Sequence, residues 1–260
     1  MLQLSFSLYD LEYFLLILTR VSCFIFAAPF FSMSNTPARI RIGLSVFVAF
    51  LIYQVITPAQ GLAFENLFFY ASVVIKEALT GLIMGFITNL CVSIVHFAGQ
   101  MVDMEIGLSM VSLFDPNSKE QVTITGTYYQ YVLLMMLVVT GMYRYLLGAL
   151  ADSYILIPVN GAIFYRKLLL DGVLRFLGDF IIIGFRICLP VFCVILLLNT
   201  LLGVLARVSP QMNMFAVGIQ LKILVGLLVL LLTTGMLGDA SNFIFHEMKK
   251  LLVEFIGGIA

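Results

Sequence analysis

The sequence contains few charged residues, and this scarcity decides its class. Only 11% of the 260 residues are charged, whereas 62% are hydrophobic and the mean hydropathy is +1.11. Soluble domains carry about 25% charged and roughly 45–50% apolar residues, so the composition indicates a membrane protein. Fourteen basic residues balance 14 acidic ones. A net charge of zero gives no electrostatic reason to expect a nucleic-acid partner.

The residues that catalysis or metal binding needs are also scarce. Neither His96 nor His246 has a metal ligand three or four positions further on, and none of the four cysteines forms a CxxC pair. No phosphate loop, nucleophile elbow or HExxH motif occurs. Asp103 and Glu105 are two positions apart, about 200 degrees around a helix, so they do not form a catalytic pair. The sequence therefore predicts no enzyme, no cofactor and no metal site.

Long apolar runs fill most of the chain and predict an all-α membrane fold, because a spanning helix needs roughly 20 apolar residues. About six such segments lie near 11–31, 42–64, 68–98, 126–151, 173–205 and 212–238. The following piece, 242–255, mixes apolar and charged residues, and is either an interfacial helix or the end of the last long helix.

Charges inside these runs do not fit a simple bundle. They are Arg20, Lys76, Glu77, Arg175, Asp179, Arg186 and Lys222. Each would cost about 2.5–3.5 kcal/mol at a bilayer centre, so such groups normally face protein or water. Arg175 and Asp179 are four apart and could pair on one helix face. Together with a weak positive-inside bias, these charges predict a chain buried among other membrane subunits. An ion route through the buried charges is the alternative.

Glycine and proline also interrupt the apolar runs, at Pro29, Gly141, Gly184, Pro190 and Gly226. Irregular backbone at membrane depth survives only when it is buried in protein or lines a wet cavity. The stretch GLIMG at 81–85 is a small-xxx-small motif, which permits two helices to approach closely but also arises by chance in glycine-rich helices.

The segment AGQMVDMEIGLSMVSLFDPNSKE, 98–120, is too polar to cross lipid and too apolar for an ordinary solvated loop. Glycines permit an unusual backbone, the DPNS run at 115–118 predicts a turn, and its methionines are flexible gap fillers. The residues fit a seal that closes and later yields. They fit equally a re-entrant packing loop without a moving part.

A second segment, LARVSPQMNMFAVGIQLKIL at 205–224, predicts a tight helical hairpin. Arg207 and Pro210 end one helix, and Ser209 caps the next with Pro210 at its first position. Lys222 is then expected to be buried in the second arm.

Three stretches resemble the FliR family of flagellar export-gate proteins. They are RIRIGLS (39–45), AGQMVDMEIGLSMVSLFDPNS (98–118) and LARVSPQMNMFAVGIQLKILVGL (205–227). Pro29, after the first apolar segment, also fits. The resemblance covers nearly the whole chain. The DP pair and the RxxPQxNxF run favour the flagellar branch over the equivalent subunit of a virulence type III secretion injectisome.

The resemblance implies an all-α fold of membrane-type helical hairpins in a helically arranged export gate with a re-entrant plug loop. It implies a FliP-like part, 1–175, that includes the 98–118 plug loop, and a FliQ-like part, 176–260, with a hairpin near 180–240 and a C-terminal helix. Implied partners are FliP and FliQ subunits, FlhB at the gate entrance and unfolded flagellar export substrates. The implied location is the flagellar basal body in the bacterial inner membrane, with much of the complex above the membrane plane.

The resemblance also implies roles for individual residues. The seal of the pore is expected at Gly107, Leu108, Met110, Leu113, Phe114, Asp115 and Pro116. Interface or buried charges are expected at Arg20, Lys76, Glu77, Asp103, Arg207 and Lys222, and the hairpin turn at Ser209 and Pro210. The predicted function is a non-enzymatic wall and plug of the flagellar export gate. The injectisome subunit is the alternative, followed by a stand-alone ion or solute transporter.

Overall fold

The computed structural model describes residues 8–31, 36–56, 67–108, 113–114, 121–209 and 214–259. The helices in these ranges are α1 (Leu8–Ala27), α2 (Ala38–Val55), α3 (Leu67–Ile106), α4 (Ile124–Val139), α5 (Met142–Leu156), α6 (Arg166–Val208), α7 (Met214–Thr233) and α8 (Leu237–Gly257). A single 3-10 turn, Thr234–Met236, joins α7 to α8. Two strands of two residues each, β1 (Leu113–Phe114) and β2 (Gln121–Val122), lie between α3 and α4. The predicted all-α class is confirmed.

Four of the described helical runs are long and apolar enough to cross a membrane. They are α2, α3, α6 and the run Val217–Gly257, and α4 with α5 count as a fifth if that broken pair forms one span. The sequence predicted about six apolar segments. The difference arises because 126–151 is divided at Gly141, whose φ of +69° separates α4 from α5. In addition α1, which covers most of the segment 11–31, carries three charges, Asp10, Glu12 and Arg20, and is not among the candidate spans.

Two compact units make up the chain, and each combines separate stretches of sequence. The first unit comprises Met1–Leu90, Gly141–Arg175 and Glu247–Ala260, and the second comprises Cys91–Thr140 and Phe176–His246. One boundary between units, after Arg175, coincides with the predicted division at 175/176. The likeness of the two predicted parts to FliP and FliQ stays a prediction.

The first unit is built around α1, which buries Leu16, Ile17, Val21 and Phe24 completely. The GLIMG motif of α3 packs against this helix. A Cβ at Gly85 would lie 2.6 Å from the Ala27 side chain, and one at Gly81 would overlap the carbonyl of Arg20. The motif therefore serves helix contact in this fold, because only glycine lets the two backbones come so close.

The chain end is tied into the first unit by main-chain hydrogen bonds. The amide of Ile163 donates to the carbonyl of Ile259 at 2.9 Å, and the amide of Tyr165 donates to Gly258 at 3.1 Å. The exposed Arg175 lies 3.2 Å from Glu254 of α8. The spacing of Arg175 and Asp179 would allow a pair along α6, but Arg175 pairs across helices with Glu254 instead.

The second unit packs helices through two of the glycines that the sequence marked as breakers. A Cβ at Gly184 in α6 would lie 2.5 Å from the Phe97 ring, and one at Gly226 in α7 would lie 2.6 Å from Ile106. Both glycines sit inside continuous helices, as does Pro190. Gly184 and Gly226 are contact points between helices, whereas Gly141 separates α4 from α5 and Pro29 follows the end of α1.

A cavity of about 340 Å³ also lies within the second unit, beside Pro190. Its lining is mostly apolar but includes two charged residues. The lining residues come from three parts of the unit. The lining residues are Tyr129, Ile183, Arg186, Ile187, Pro190, Thr233, Met236, Leu237, Asp239, Ala240 and Phe243.

Candidate functional site

The predicted plug loop, 98–118, is wrong in its first nine residues, because α3 continues as a helix to Ile106 and the chain leaves it only at Gly107. Gly107 has a φ of +90°, a backbone conformation that glycine adopts without a steric penalty, and its amide donates to the carbonyl of Asp103 at 3.1 Å. Leu108 follows and is half-buried. This left-handed residue turns the chain out of the helix axis and starts the loop.

The same segment returns through a short antiparallel ribbon. Leu113 lies opposite Val122, and Phe114 lies opposite Gln121. The chain leaves α3 at Gly107 and enters α4 at Ile124. Three predicted seal residues, Met110, Asp115 and Pro116, lie outside the described residues.

A buried carboxylate joins the two ends of this segment. Asp103, on the last turn of α3, is 2% exposed. It accepts hydrogen bonds from the amide of Thr125 at 3.1 and 3.3 Å and from the Thr125 hydroxyl. Glu105 lies two positions further on and points about 200 degrees away from Asp103 around the helix. It is half-buried. Asp103 thus contacts the first turn of α4 and not a second carboxylate.

Near this contact the backbones of α3 and α4 also touch. A Cβ at Gly99 would overlap the Cα and amide of Gly126, so neither residue leaves space for a side chain. The side chains of His96 and Thr123 flank Gly126 on its other side. The loop 107–123 therefore emerges from two helix ends that are in direct contact.

Helix α7 closes the base of the loop from another side. Ile106, the last residue of α3, is completely buried, and it packs on the glycine gap at Gly226. Phe97 contacts Gly184 and lies among Phe180 and Phe185, with ring centroids 5.3 and 6.4 Å away. The base of the loop is thus closely packed.

The buried charges Arg20 and Glu77 form an ion pair within the first unit. Arg20 Nε lies 2.6 Å from Glu77 Oε2, and both side chains are fully buried. Arg20 Nη1 donates to carbonyls of Ser153 and Ile157 at 3.3 and 3.1 Å, and the guanidinium lies 4.1 Å from the centre of the Tyr154 ring. Glu77 turns inward to Arg20, whereas the adjacent Lys76 is half-buried.

The remaining predicted interface charges are more exposed. Lys76 and Lys222 are half-buried and Arg207 is exposed, and none of the three forms an ion pair within the described part of the chain. The expectation that Lys222 is buried is wrong for the chain by itself. Ser209 follows the end of α6 and its amide donates to Leu205 at 2.9 Å. Pro210 lies outside the described residues, and the described part of α7 begins at Met214.

Within the described ranges, no three His, Cys, Asp or Glu side chains come together in a group that could hold a metal ion. Sequence reasoning named Asp103 but missed its partner Thr125 and the glycine contact at Gly126. A signal was present, since a threonine and a glycine at the start of an apolar helix are typical of a capped and closely packed helix end.

Comparison with known proteins places the chain in a family. The family described as Bacterial export proteins, family 1, matches residues 11–248. The chain is 29% identical to the flagellar biosynthetic protein FliR of Bacillus subtilis over 249 residues, which cover 94% of this chain and 95% of the relative. It is 30% identical to FliR of Aquifex aeolicus over 240 residues, 91% of each, and 26% identical to FliR of Escherichia coli over 243 residues, 92% of this chain and 90% of the relative. The resemblance seen in the three motifs is confirmed, and the chain belongs to the bacterial export proteins of family 1, the family of the FliR proteins.

Proposed function

We propose that the chain is a non-enzymatic subunit of the flagellar type III protein export gate in the bacterial inner membrane. It forms part of the channel wall, and the part of its 98–118 segment that follows α3 is the plug. The observation that carries the proposal is the family match over 11–248, together with relatives that bear the name flagellar biosynthetic protein. These relatives favour the flagellar gate over the virulence injectisome.

The geometry of the loop supports the plug. Its two ends are held together at Asp103 and Thr125, and its ribbon pairs over Leu113–Phe114 and Gln121–Val122. A loop fixed at its base can extend into a channel without being part of the wall. We assign the seal to Gly107, Leu108, Met110, Leu113, Phe114, Asp115 and Pro116.

The exposed apolar faces support a role as one wall of a larger assembly. Only 28% of the most apolar stretch of α6 and 17% of that in Val217–Gly257 are buried within the chain. Leu205 and Val208 are exposed on either side of the exposed Arg207. A cation on such an apolar surface is better satisfied by a protein partner than by lipid tails. FliP and FliQ subunits are the proposed partners, and FlhB is the proposed neighbour at the entrance.

Helix length supports a position that extends beyond the bilayer. Helices α3 and α6 have 40 and 43 residues. At about 1.5 Å per residue each is roughly 60 Å long, about twice the ~30 Å hydrocarbon core. Such helices suit a gate that rises above the inner membrane within the basal body. The transported substrates would be unfolded flagellar proteins.

Native mass spectrometry tests the assembly. The tagged chain is expressed with its neighbouring genes, extracted in mild detergent and weighed as an intact complex. We expect one large complex that contains this chain and two other small membrane proteins. A lone monomer or homodimer would contradict the proposal, and the next assay would be solute flux in liposomes that contain this chain alone.

Deletion of 107–114 tests the plug. The variant complex should assemble as the wild type does, because the base contacts at Asp103, Thr125 and Ile106 remain. It should release potassium from loaded liposomes much faster than the wild-type complex. If the assembled deletion variant retains potassium as well as the wild-type complex does, the plug role is wrong and only the role as part of the channel wall stands.

A further inference from the structure

The cavity within the second unit combines an apolar interior with charged groups. Its walls include Ile187 of α6, Phe243 of α8 and the buried Tyr129 of α4. Arg186 and Asp239 belong to the same lining. With a volume of about 340 Å³, the cavity falls within the range of small-molecule sites, about 300–1,000 Å³. It therefore has room for part of a molecule that carries both an apolar chain and charged groups.

The two charges that line the cavity do not neutralise each other. Arg186 and Asp239 are both exposed, and neither forms an ion pair or a hydrogen bond with a described residue. The guanidinium of Arg186 instead lies 5.6 Å from the centre of the Phe243 ring. Opposite charges that border one cavity without pairing favour a ligand that carries both signs, because each charge then gains a charge-assisted hydrogen bond.

The cavity wall also offers polar groups that lack partners. The Tyr129 hydroxyl makes no hydrogen bond to a described residue, although this side chain is only 3% exposed. Pro190 has no amide hydrogen, so the carbonyl of Arg186, four residues earlier in α6, lacks the bond that residue 190 donates in a regular helix. All three residues line the cavity. A polar headgroup can supply the missing partners.

The lengths of two apolar stretches favour a position of the cavity at the level of the lipid headgroups. Arg186 is followed by the uncharged stretch 187–206, which ends at Arg207. About 20 apolar residues span the hydrocarbon core, so the charges at their two ends lie near the two membrane surfaces. A second uncharged stretch, 223–238, ends at Asp239. Both charges of the cavity thus lie at the ends of apolar stretches.

We propose that the cavity binds one phospholipid with a zwitterionic headgroup of the phosphatidylethanolamine type. An acyl chain occupies the apolar interior, the phosphate pairs with Arg186, and the ammonium pairs with Asp239 and the free carbonyl of Arg186. The surface of α6 around Arg186 is apolar, with Ile182, Phe185 and Leu189 exposed, so the cavity is open to lipid more than to a water-soluble ligand. The site goes beyond the proposed function and does not depend on it.

Native mass spectrometry counts the lipids that stay bound to the chain, in whatever complex it forms after extraction in mild detergent. Loosely held lipid is removed by detergent exchange. The sample is then titrated separately with phosphatidylethanolamine and with phosphatidylglycerol, which has the phosphate but no amine. We expect one phosphatidylethanolamine per copy of this chain, bound several-fold more tightly than phosphatidylglycerol, because the glycerol headgroup has no cation for the carboxylate.

Three variants separate the parts of the site. Arg186→Gln should weaken binding of both lipids about tenfold, since it removes the partner of the phosphate. Asp239→Asn should weaken binding of phosphatidylethanolamine alone and so abolish the preference between the lipids. Ala240→Leu places a larger side chain in the cavity and should weaken binding of both. Arg144→Gln and Asp171→Asn are matched controls that should bind as the wild type does, because both residues are exposed and neither lines the cavity.

Several results would overturn the site. Equal binding of the two lipids by the wild type would show a general lipid shell only. A wild-type complex without bound lipid would show that a partner subunit or detergent fills the cavity. Equal weakening by Arg186→Gln and Arg144→Gln would show an effect of net charge.

Failure of a variant to fold leaves the test decisive. If a charge variant does not assemble, Ala240→Leu decides, because it changes no charge. If that variant also fails, the preference of the wild type between the two lipids decides by itself. The proposed function is tested by the protein composition of the complex. A lone chain that binds phosphatidylethanolamine would therefore contradict the export gate and support the lipid site.

Discussion

Arg20 and Glu77 lie 57 positions apart in sequence, yet their side chains meet at 2.6 Å in a fully buried ion pair. The second carboxylate oxygen of Glu77 accepts the amide of Asn160 at 3.1 Å, and Asn160 has a φ of +69°. The pair therefore joins α1 and α3 and also anchors the turn that follows α5.

Loss of one partner of this ion pair should destabilise the first unit strongly. Glu77→Ala leaves the Arg20 guanidinium buried without its counter-charge, and breaking a buried pair costs about 3–5 kcal/mol. Thermal unfolding of the purified protein in detergent measures the effect. Arg175→Ala is the control, because its pair with Glu254 is 73% exposed on the arginine side and such pairs contribute about 0–1 kcal/mol. Equal decreases in Tm for Glu77→Ala and Arg175→Ala would contradict this account.

Gly81→Ala should separate α1 from α3. The new methyl group would overlap the main-chain carbonyl of Arg20, which cannot move without the helix. We expect a large drop in Tm and poor assembly. Gly148→Ala is the matched control, since a Cβ there meets nothing within 4 Å and alanine favours a helix over glycine by about 0.5–1 kcal/mol. A Gly81→Ala variant as stable as the control would show that this close approach is not required.

The contact of Gly226 with Ile106 should appear as a coupling between two substitutions. Gly226→Ala crowds the Ile106 side chain, and Ile106→Ala leaves a cavity that costs about 2–5 kcal/mol. The double variant should lose less stability than the sum of the single variants, by about 0.5–3 kcal/mol, since the new methyl fills part of the cavity. Additive losses in thermal unfolding would mean that the two residues do not pack on one another.

Gly107→Ala should disturb the loop through its backbone alone. A Cβ there meets no atom within 4 Å, but a φ of +90° is unfavourable for an L-residue, at a cost of about 1–2 kcal/mol. We expect normal assembly with raised potassium efflux from liposomes. Gly43→Ala is the control, because it also has open space and has no positive φ. Wild-type efflux from the Gly107 variant would show that the left-handed turn does not set the loop position.

Much of the candidate site was predictable from residue types. Gly107 was expected to permit an unusual backbone, and its φ is +90°. Asp103 was expected among the buried charges, and it is 2% exposed. The partner of Asp103 was not predictable, because nothing in the local sequence shows which helix N-terminus will lie beside a carboxylate 22 residues earlier. The same limit applies to Glu77, whose partner Arg20 lies 57 positions earlier in the chain.

The sequence by itself determined the class of this protein, its family and the segments that form helices, because these depend on composition, local periodicity and short motifs. The tertiary structure alone decided the partners of the buried charges and the use of the glycines. Those outcomes depend on which helix faces meet. A glycine that suggests a helix break in the sequence becomes a contact point when a neighbouring helix fills the space that a side chain would occupy. Gly226 packed by Ile106 and Gly81 packed by Arg20 are such cases.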